Sequence, residues 1–314
     1  MVTYCFRTFV SSVILVGLFT APAVAQPTIV FDYTYDTNNF FPVDSQQRTT
    51  LEAAAARLTS RLTDSLTAIT PGGSNTWTAI FDNPTTGATV NLVNPTIAAN
   101  EIRVFVGAQA LGGNTLGFGG FGAWSGGGST EFLQSIGRGQ YDVFSAGSTQ
   151  TDFGLWGGTI TFDSATNWHF GLNAPASGQF DFLSVALHEL GHVLGFGTAP
   201  SWDNLITGTT YNGSVANALA GGPLTTTADK GHWAEGTTYL GQEAAMDPTI
   251  MIGMRKEFTE LDFAGLDDLG WQVVPVPEPA SIIGVVIGVA GAWGGVRRLR
   301  RKPESVDAPP VMAC

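Results

Sequence analysis

The sequence predicts an α+β fold in which several strands and two long helices come before a smaller C-terminal region. Apolar and β-branched residues concentrate or alternate, as strands require, over residues 28–35, 76–81, 101–108 and 157–164. Residues 45–68 carry leucine and alanine at helical spacing and are followed by the breaker Pro71-Gly72. A second helical pattern covers residues 181–194 and stops at Gly195. Because both patterns occur in one stretch of chain, we expect an α+β domain.

Composition limits what this domain can do. The chain has 314 residues, of which 44% are hydrophobic and 13% are charged, enough for one large domain or two small ones. Its formal net charge of −12 argues against binding to nucleic acid or to anionic membranes, since both require basic patches. The two cysteines, Cys5 and Cys314, lie near the chain ends. The region between them therefore depends on core packing and any bound metal, not on a disulfide.

The first 25 residues have the features of a secretory signal peptide. Arg7 provides a positive charge, residues 9–19 are mostly apolar, and Ala23-Val24-Ala25 offers a small-residue cleavage site before Gln26. A membrane anchor is the alternative, but the apolar run is short for a bilayer span. We therefore expect residues from 26 onward to be exported.

The C-terminal segment predicts a second targeting signal. Residues 280–296 are apolar and uncharged, and residues 297–302 contain five arginine and lysine side chains. With Pro277-Glu278-Pro279 in front, the segment resembles the bacterial PEP-CTERM sorting signal, which implies processing by an exosortase. The tail from 303 to 314 departs from that signal, and a plain C-terminal membrane anchor is the alternative. Both interpretations place the protein in the cell envelope or outside the cell, membrane-anchored transiently or permanently.

The stretch HELGHVLGFGTAP predicts a catalytic metal site. His188 and His192 stand four residues apart, so on a helix they lie on one face and can bind one metal ion. Glu189 lies beside the first histidine, where its carboxylate can take a proton from a water that Zn²⁺ activates. In the commonest continuation of this motif a third histidine stands at position 198, but here the residue is Thr198.

Three residues compete for the role of third ligand. His232 stands forty residues after His192, between Gly231 and a tryptophan. Asp203 follows the motif closely, and Glu243 precedes Asp247 at a spacing known from other zinc peptidases. The remaining histidine, His169, has no evident partner, and we expect a structural or surface role for it.

A family resemblance favours His232. The order HELGHVLGF, then GHW, then AAMDP resembles the leishmanolysin-like branch of the metzincin metallopeptidases. That resemblance implies that His188, His192 and His232 bind Zn²⁺, that Glu189 is the general base, and that residues 196–231 are an insertion. It also implies a methionine turn at Met246, with Met251 as the alternative.

The same resemblance implies a more detailed architecture. A mixed twisted sheet with a long helix and an active-site helix would be followed by a smaller C-terminal subdomain. Metzincins bind an extended peptide along a sheet edge, for which residues 157–162 are the candidate. The nine glycines between Gly112 and Gly128 are interpreted as a flexible surface loop. The expected segments are 1–25 (signal), 26–195 (catalytic subdomain), 196–273 (C-terminal subdomain), 274–302 (sorting signal) and 303–314 (tail).

These features together predict an exported zinc endopeptidase that acts on proteins or peptides. One alternative is a non-catalytic extracellular matrix or adhesion protein on the same fold, although adhesion would not need Glu189 beside two histidines. Another is a zinc peptidase of a different clan, which would differ in its third ligand.

Overall fold

The computed structural model describes residues 26–138 and 152–275. The described residues up to Val273 belong to one compact unit, and residues 274 and 275 belong to a second. The signal-peptide segment, the PEP-CTERM-like segment and the tail that follows it lie outside the described residues. Within the described ranges, no helix is long and apolar enough to cross a membrane.

The helices and strands mix along the chain, which confirms the predicted α+β class. The helices are α1 (Gln46–Thr59), α2 (Thr130–Ile136), α3 (Phe182–Val193), α4 (Pro200–Asp203), α5 (Ser214–Ala220) and α6 (Glu260–Leu269). The strands are β1 (Thr28–Asp32), β2 (Thr76–Asp82), β3 (Thr89–Val93), β4 (Glu101–Gln109), β5 (Gly117–Phe121), β6 (Ala123–Gly127), β7 (Gly157–Asp163), β8 (Trp168–His169), β9 (Phe180–Asp181), β10 (Ile206–Thr207), β11 (Thr210–Tyr211), β12 (Leu224–Thr225), β13 (Thr238–Tyr239) and β14 (Gln242–Glu243).

The main sheet has the strand order β1-β4-β7-β5. Strands β1, β4 and β7 run parallel, whereas β5 runs antiparallel to β7 and forms an edge. Successive side chains of β4 alternate between two cores, since Val104 and Val106 belong to one and Phe105 to the other. The first core contains α1 and α3, which pack against each other. The second core lies under the small sheet β3-β2-β6.

The long helix predicted over residues 45–68 is shorter in the structure. Ser45 caps it by accepting a hydrogen bond from the backbone N–H of Arg48, and the helix ends at Thr59. Beyond that point Leu62 pairs with Val273, and the N–H of Leu66 donates to the side chain of Asn100. Both leucines are buried, so long-range pairing rather than helix places them in the core.

The glycine tract is also more ordered than predicted. Residues 117–121 and 123–127 are strands β5 and β6, not a flexible loop. Glycine permits this arrangement because β5 must approach α3 closely: an added Cβ at Gly119 would lie 2.2 Å from the carbonyl oxygen of Glu189. The prediction that residues 157–162 form the edge strand is therefore wrong, because β7 pairs with β4 on one side and with β5 on the other.

The region after α3 adds short elements to the same core. Its three-stranded antiparallel sheet has the order β10-β11-β12, and α5 packs against α6. Aromatic rings of Phe196, Trp202, Tyr211 and Trp233 lie against one another with centroids 4.1–5.3 Å apart. This cluster holds the segment that follows α3 against the segment that contains His232.

Candidate metal centre

Helix α3 carries the first two histidines and is fixed at its N-terminus. Asp181 caps it through the N–H of Ser184, and both carboxylate oxygens of Asp181 also accept hydrogen bonds from Arg255 (2.7 and 2.9 Å). Every residue of α3 except His188 is buried. Because the helix is packed on nearly all sides, the direction that His188 and His192 face has little freedom.

Backbone carbonyls hold both imidazoles. His188 Nδ1 lies 2.7 Å from the carbonyl oxygen of Ala245, and His192 Nδ1 lies 2.8 Å from that of Phe196. Because a carbonyl oxygen only accepts, each Nδ1 carries the proton and each Nε2 presents a lone pair. This is the tautomer that binds a metal through Nε2.

The chain leaves α3 through a left-handed glycine. Gly195 has φ +99, and the N–H groups of Gly195 and Phe196 donate back to the carbonyls of His192 and Gly191. Thr198 does not face the histidine Nε2 atoms as a ligand would. Its hydroxyl donates to the carbonyl oxygen of His192 at 2.8 Å, so it helps to finish the helix.

His232 completes a group of three histidines. Its Nε2 lies 3.1 Å from His192 Nε2, and His188 Nε2 lies 3.0 Å from His192 Nε2. The chain returns to this point because Gly197 contacts Gly231, where an added Cβ on Gly197 would lie 1.9 Å from the Gly231 carbonyl oxygen. Residues 198–230, which include α4, α5 and strands β10, β11 and β12, thus form a long insertion whose ends meet beside the site. We call this insertion the long loop.

The three nitrogens fit a zinc ion. Zinc–nitrogen bonds of about 2.0–2.1 Å at a tetrahedral angle put two ligand nitrogens about 3.3 Å apart, close to the distances here. Burial, and then the neighbouring imidazoles, lower the pKa of His188 well below its usual value. Burial is also the main cause of the lowered pKa of His192, about 4, and of His232. Neutral imidazoles with converging lone pairs are the donor set that a divalent cation satisfies.

The rival ligands lie elsewhere. Among the described residues, the group that contains the three histidines includes neither Asp203 nor Glu243. Asp203 is exposed at the end of α4. Glu243 instead belongs to an acidic group with Glu235 and Asp247, where the Lys256 ammonium lies 3.0 Å from both Glu243 and Asp247. The ring of His169 makes a hydrogen bond to the backbone carbonyl of Asn173 (3.1 Å), and His169 does not belong to the histidine group.

Met246 lies directly beneath α3. It is fully buried, and an added Cβ at Gly191 would lie 2.4 Å from its sulfur. Its carbonyl accepts a hydrogen bond from the N–H of Trp233, next to His232. Met251, the alternative, is 68% exposed. Met246, unlike Met251, therefore lies against the helix that carries His188 and His192.

Glu189 is buried where α3 meets β5. Desolvation raises its pKa to about 8, and a hydrogen bond from the backbone N–H of Gly119 opposes that shift. A dication held by the nearby imidazoles would oppose it further, because positive charge favours the ionised carboxylate. The position is suited to a group that takes up a proton and later releases it.

A cleft of about 820 Å³ joins these groups. The lining residues include the three histidines and Glu189, with residues 117–119 of β5 on one side and Ala245 and residues 247–250 on another. The edge of β5 that does not pair with β7 belongs to this cleft, so an extended chain can lie beside it.

Asp262 is a site residue that the sequence did not reveal as one. Asp262 and Thr259 form the capping box at the start of α6. In addition, the buried Asp262 carboxylate accepts hydrogen bonds from Trp233 Nε1 (3.1 Å) and from the N–H groups of Ala245 (2.9 Å) and Met246 (3.2 Å). One side chain therefore supports both the residue after His232 and the turn that holds His188.

Comparison with known families agrees with this geometry. Residues 144–217 match the family model described as Matrixin (Peptidase_M10), a stretch of 74 residues that contains His188, Glu189 and His192 and ends before His232. No curated protein and no solved structure matches the chain. Matrixins are zinc-dependent peptidases. The match over this stretch supports a metzincin-type metallopeptidase.

Proposed function

We propose that this protein is a zinc-dependent endopeptidase that hydrolyses peptide bonds in exported or extracellular proteins. The observation that carries the proposal is the convergence of three Nε2 atoms, 3.0 and 3.1 Å apart, in a cleft that also contains Glu189. His188, His192 and His232 would hold the zinc ion. When bound, zinc polarises the scissile carbonyl and makes a water molecule more acidic.

Glu189 carries the protons in this proposal. Its carboxylate takes a proton from the attacking water and delivers it to the nitrogen of the leaving amine. A pKa raised toward neutrality serves both transfers, because the group can hold the proton between them. Met246 contacts the helix at Gly191 and fixes the floor beneath the histidines.

The substrate of this reaction is an extended peptide. Strand β5 has a free edge in the cleft, and its backbone can pair with a substrate backbone as an added strand. The long loop between Gly197 and Gly231 supports the leishmanolysin-like arrangement, in which the third histidine follows an insertion.

Export and sorting are part of the proposal and rest on the sequence. The signal-peptide pattern of residues 1–25 and the PEP-CTERM-like segment 277–302 favour an envelope or extracellular location. An exosortase-type machinery would be a partner. Membrane attachment would occur through residues 280–296 before processing.

The test measures metal and activity together. We expect one zinc per chain, measured by atomic emission, and cleavage of casein or a quenched peptide. Glu189→Ala should keep the zinc and lose activity by at least about 10²-fold, since a general base contributes about 10²–10⁴-fold. His232→Ala should lose zinc under dialysis conditions in which the wild type retains it.

Two results would contradict the proposal. Full zinc retention in His232→Ala would show that another residue is the third ligand. Zinc binding without cleavage of any tested protein would instead favour a non-catalytic matrix or adhesion protein.

A further inference from the structure

Strand β5 lies on α3 at Glu189, and glycines make that contact. Gly117 and Gly119 face the helix because side chains alternate along a strand, whereas Phe118 between them is 60% exposed. An added Cβ on Gly119 would lie 2.2 Å from the backbone carbonyl oxygen of Glu189. The strand therefore contacts the helix more closely than it could with any side chain at that position.

Gly117 contacts a different part of the same residue. An added Cβ there would lie 2.8 Å from Glu189 Oε1, 3.0 Å from Cγ and 3.1 Å from Cδ. These are side-chain atoms, which can move, whereas the atoms opposite Gly119 are backbone and cannot move without shifting the helix. The space left empty at Gly117 is thus filled by the carboxylate group itself.

The same strand also bonds this carboxylate. Glu189 accepts a hydrogen bond from the backbone N–H of Gly119 and is 5% exposed. The carboxylate is therefore located by two features of β5, a donor at Gly119 and an absent side chain at Gly117. Gly120, in contrast, has nothing within 4 Å of an added Cβ, so the contact with Glu189 is made by Gly117 and Gly119.

We propose that Gly117 is a positioning residue for Glu189. Because Gly117 has no side chain, the Glu189 carboxylate keeps its place in the cleft beside the three histidines. The proposal rests on the proposed peptidase function. A methyl group at position 117 would push the carboxylate away from the place where it takes its proton. Misplacement of a catalytic group by about 1 Å can reduce the rate by about 10²-fold.

The test compares two identical substitutions on consecutive strands, β5 and β6. Gly117→Ala should lower kcat by about 10–10²-fold while KM changes less than about twofold. Gly127→Ala, on β6, introduces the same methyl group where no atom lies within 4 Å, so its kcat, KM and zinc content should equal those of the wild type. Both variants should keep one zinc per chain and unfold at the wild-type temperature, because the contact at Gly117 involves movable atoms.

A second variant separates positioning from general damage to the strand. Glu189→Asp shortens the side chain by one methylene and draws the carboxylate back from position 117. When Gly117→Ala is added to Glu189→Asp, it should lower kcat by less than about threefold. The effects of the two substitutions on kcat should therefore be strongly non-additive. Additive losses, equal losses in Gly117→Ala and Gly127→Ala, or an unchanged kcat in Gly117→Ala would each overturn the proposal.

A crystal structure of Gly117→Ala tests the placement without activity. The Glu189 carboxylate should be displaced from its wild-type position while the histidine rings stay in place. If the wild type cleaves nothing, the peptidase function fails, and this structure still decides whether position 117 locates the carboxylate. If the wild type is active and the carboxylate does not move, the inference on Gly117 alone fails.

Discussion

Each helix histidine depends on a backbone carbonyl for its orientation, and one carboxylate supports both the segment that holds His188 and the residue after His232. The carbonyl of Ala245 holds His188, while the N–H of the same residue donates to Asp262. Asp262 also accepts from the indole of Trp233, which adjoins His232. At the scale of single residues, the site is thus held together by Asp262 as much as by the histidines.

This dependence predicts the behaviour of Asp262→Asn. Whichever way the amide is oriented, two N–H donors lose their acceptor, and each buried unsatisfied donor costs about 1–3 kcal/mol. We expect the free energy of unfolding to fall by about 3 kcal/mol. Zinc affinity should fall by about 10–100-fold, as for other residues that orient metal ligands. Urea unfolding and a chelator competition titration measure the two effects.

Asp267→Asn, on the same helix, is the matched control. Asp267 is half-buried, and desolvation raises the pKa of its carboxyl, so removal of the charge should not destabilise the protein. If both variants lost the same zinc affinity, Asp262 would have no special role at the site.

At the scale of elements, the long loop after α3 is what brings a distant histidine to the helix. Gly197 and Gly231 touch at its base, and Trp202 in the loop donates to the carbonyl of Lys230 (2.7 Å). The buried rings of Phe196 and Trp233 pack edge to face and fix the two ends of the loop. The loop can therefore be long without loosening the position of His232.

Gly197→Ala should disturb this closure. Its φ of +69 disfavours alanine, and the added Cβ would lie 1.9 Å from the carbonyl oxygen of Gly231, the residue before His232. We expect zinc affinity to fall at least about tenfold. Gly208→Ala has nearly the same φ, +65, but no atom within 4 Å of its Cβ. It should cost about 1–2 kcal/mol of stability and leave zinc affinity unchanged. Equal zinc affinities in the two variants would refute the role of the contact.

At the scale of the whole molecule, an acidic chain buries several of its carboxyls. The net charge is −12, and burial raises the pKa of Asp64, Asp152 and Asp262. For Asp152 the pKa reaches about 6, through desolvation first and then the nearby charge of Asp64. Burial of these groups makes the stability of the fold depend on pH.

The sign of this dependence follows from the direction of the shift. Below the ordinary pKa of 3.8, Asp152 is protonated in both the folded and the unfolded chain. Between about pH 4 and pH 6 the folded state alone keeps the proton, so the contribution of Asp152 to stability falls as pH rises. Above that range the cost of ionising the carboxyl is fully present.

Asp152→Asn removes that cost and keeps an oxygen to accept from the N–H of Phe153. The variant should be more stable than the wild type at pH 7.5 by about 1 kcal/mol, a value discounted for solvent screening of a half-buried group. At pH 3.5 the two proteins should be equally stable. Urea unfolding of the zinc-free proteins at both pH values checks this, with the exposed Asp203→Asn as control. A constant difference at both pH values would contradict the prediction.

Local patterns in the sequence were sufficient for much of the fold. The strands β1, β2, β4 and β7 and the helix α3 lie where alternation, helical spacing and a glycine stop predicted them. These signals are local, because they arise from the period of the backbone. The predicted helix over residues 45–68 was too long because Leu62 and Leu66 have helical spacing but take their partners from distant segments.

What the sequence determined by itself is the pair His188 and His192 with Glu189 between them, because four residues on a helix fix one face. Only the tertiary structure decided which other residue meets that pair and which strand covers the glutamate. His232 lies forty residues after His192 in the chain, and the glycines of β5 were predicted to lie in a flexible loop. Both placements depend on contacts between segments distant in sequence, and local periodicity contains no information about those contacts.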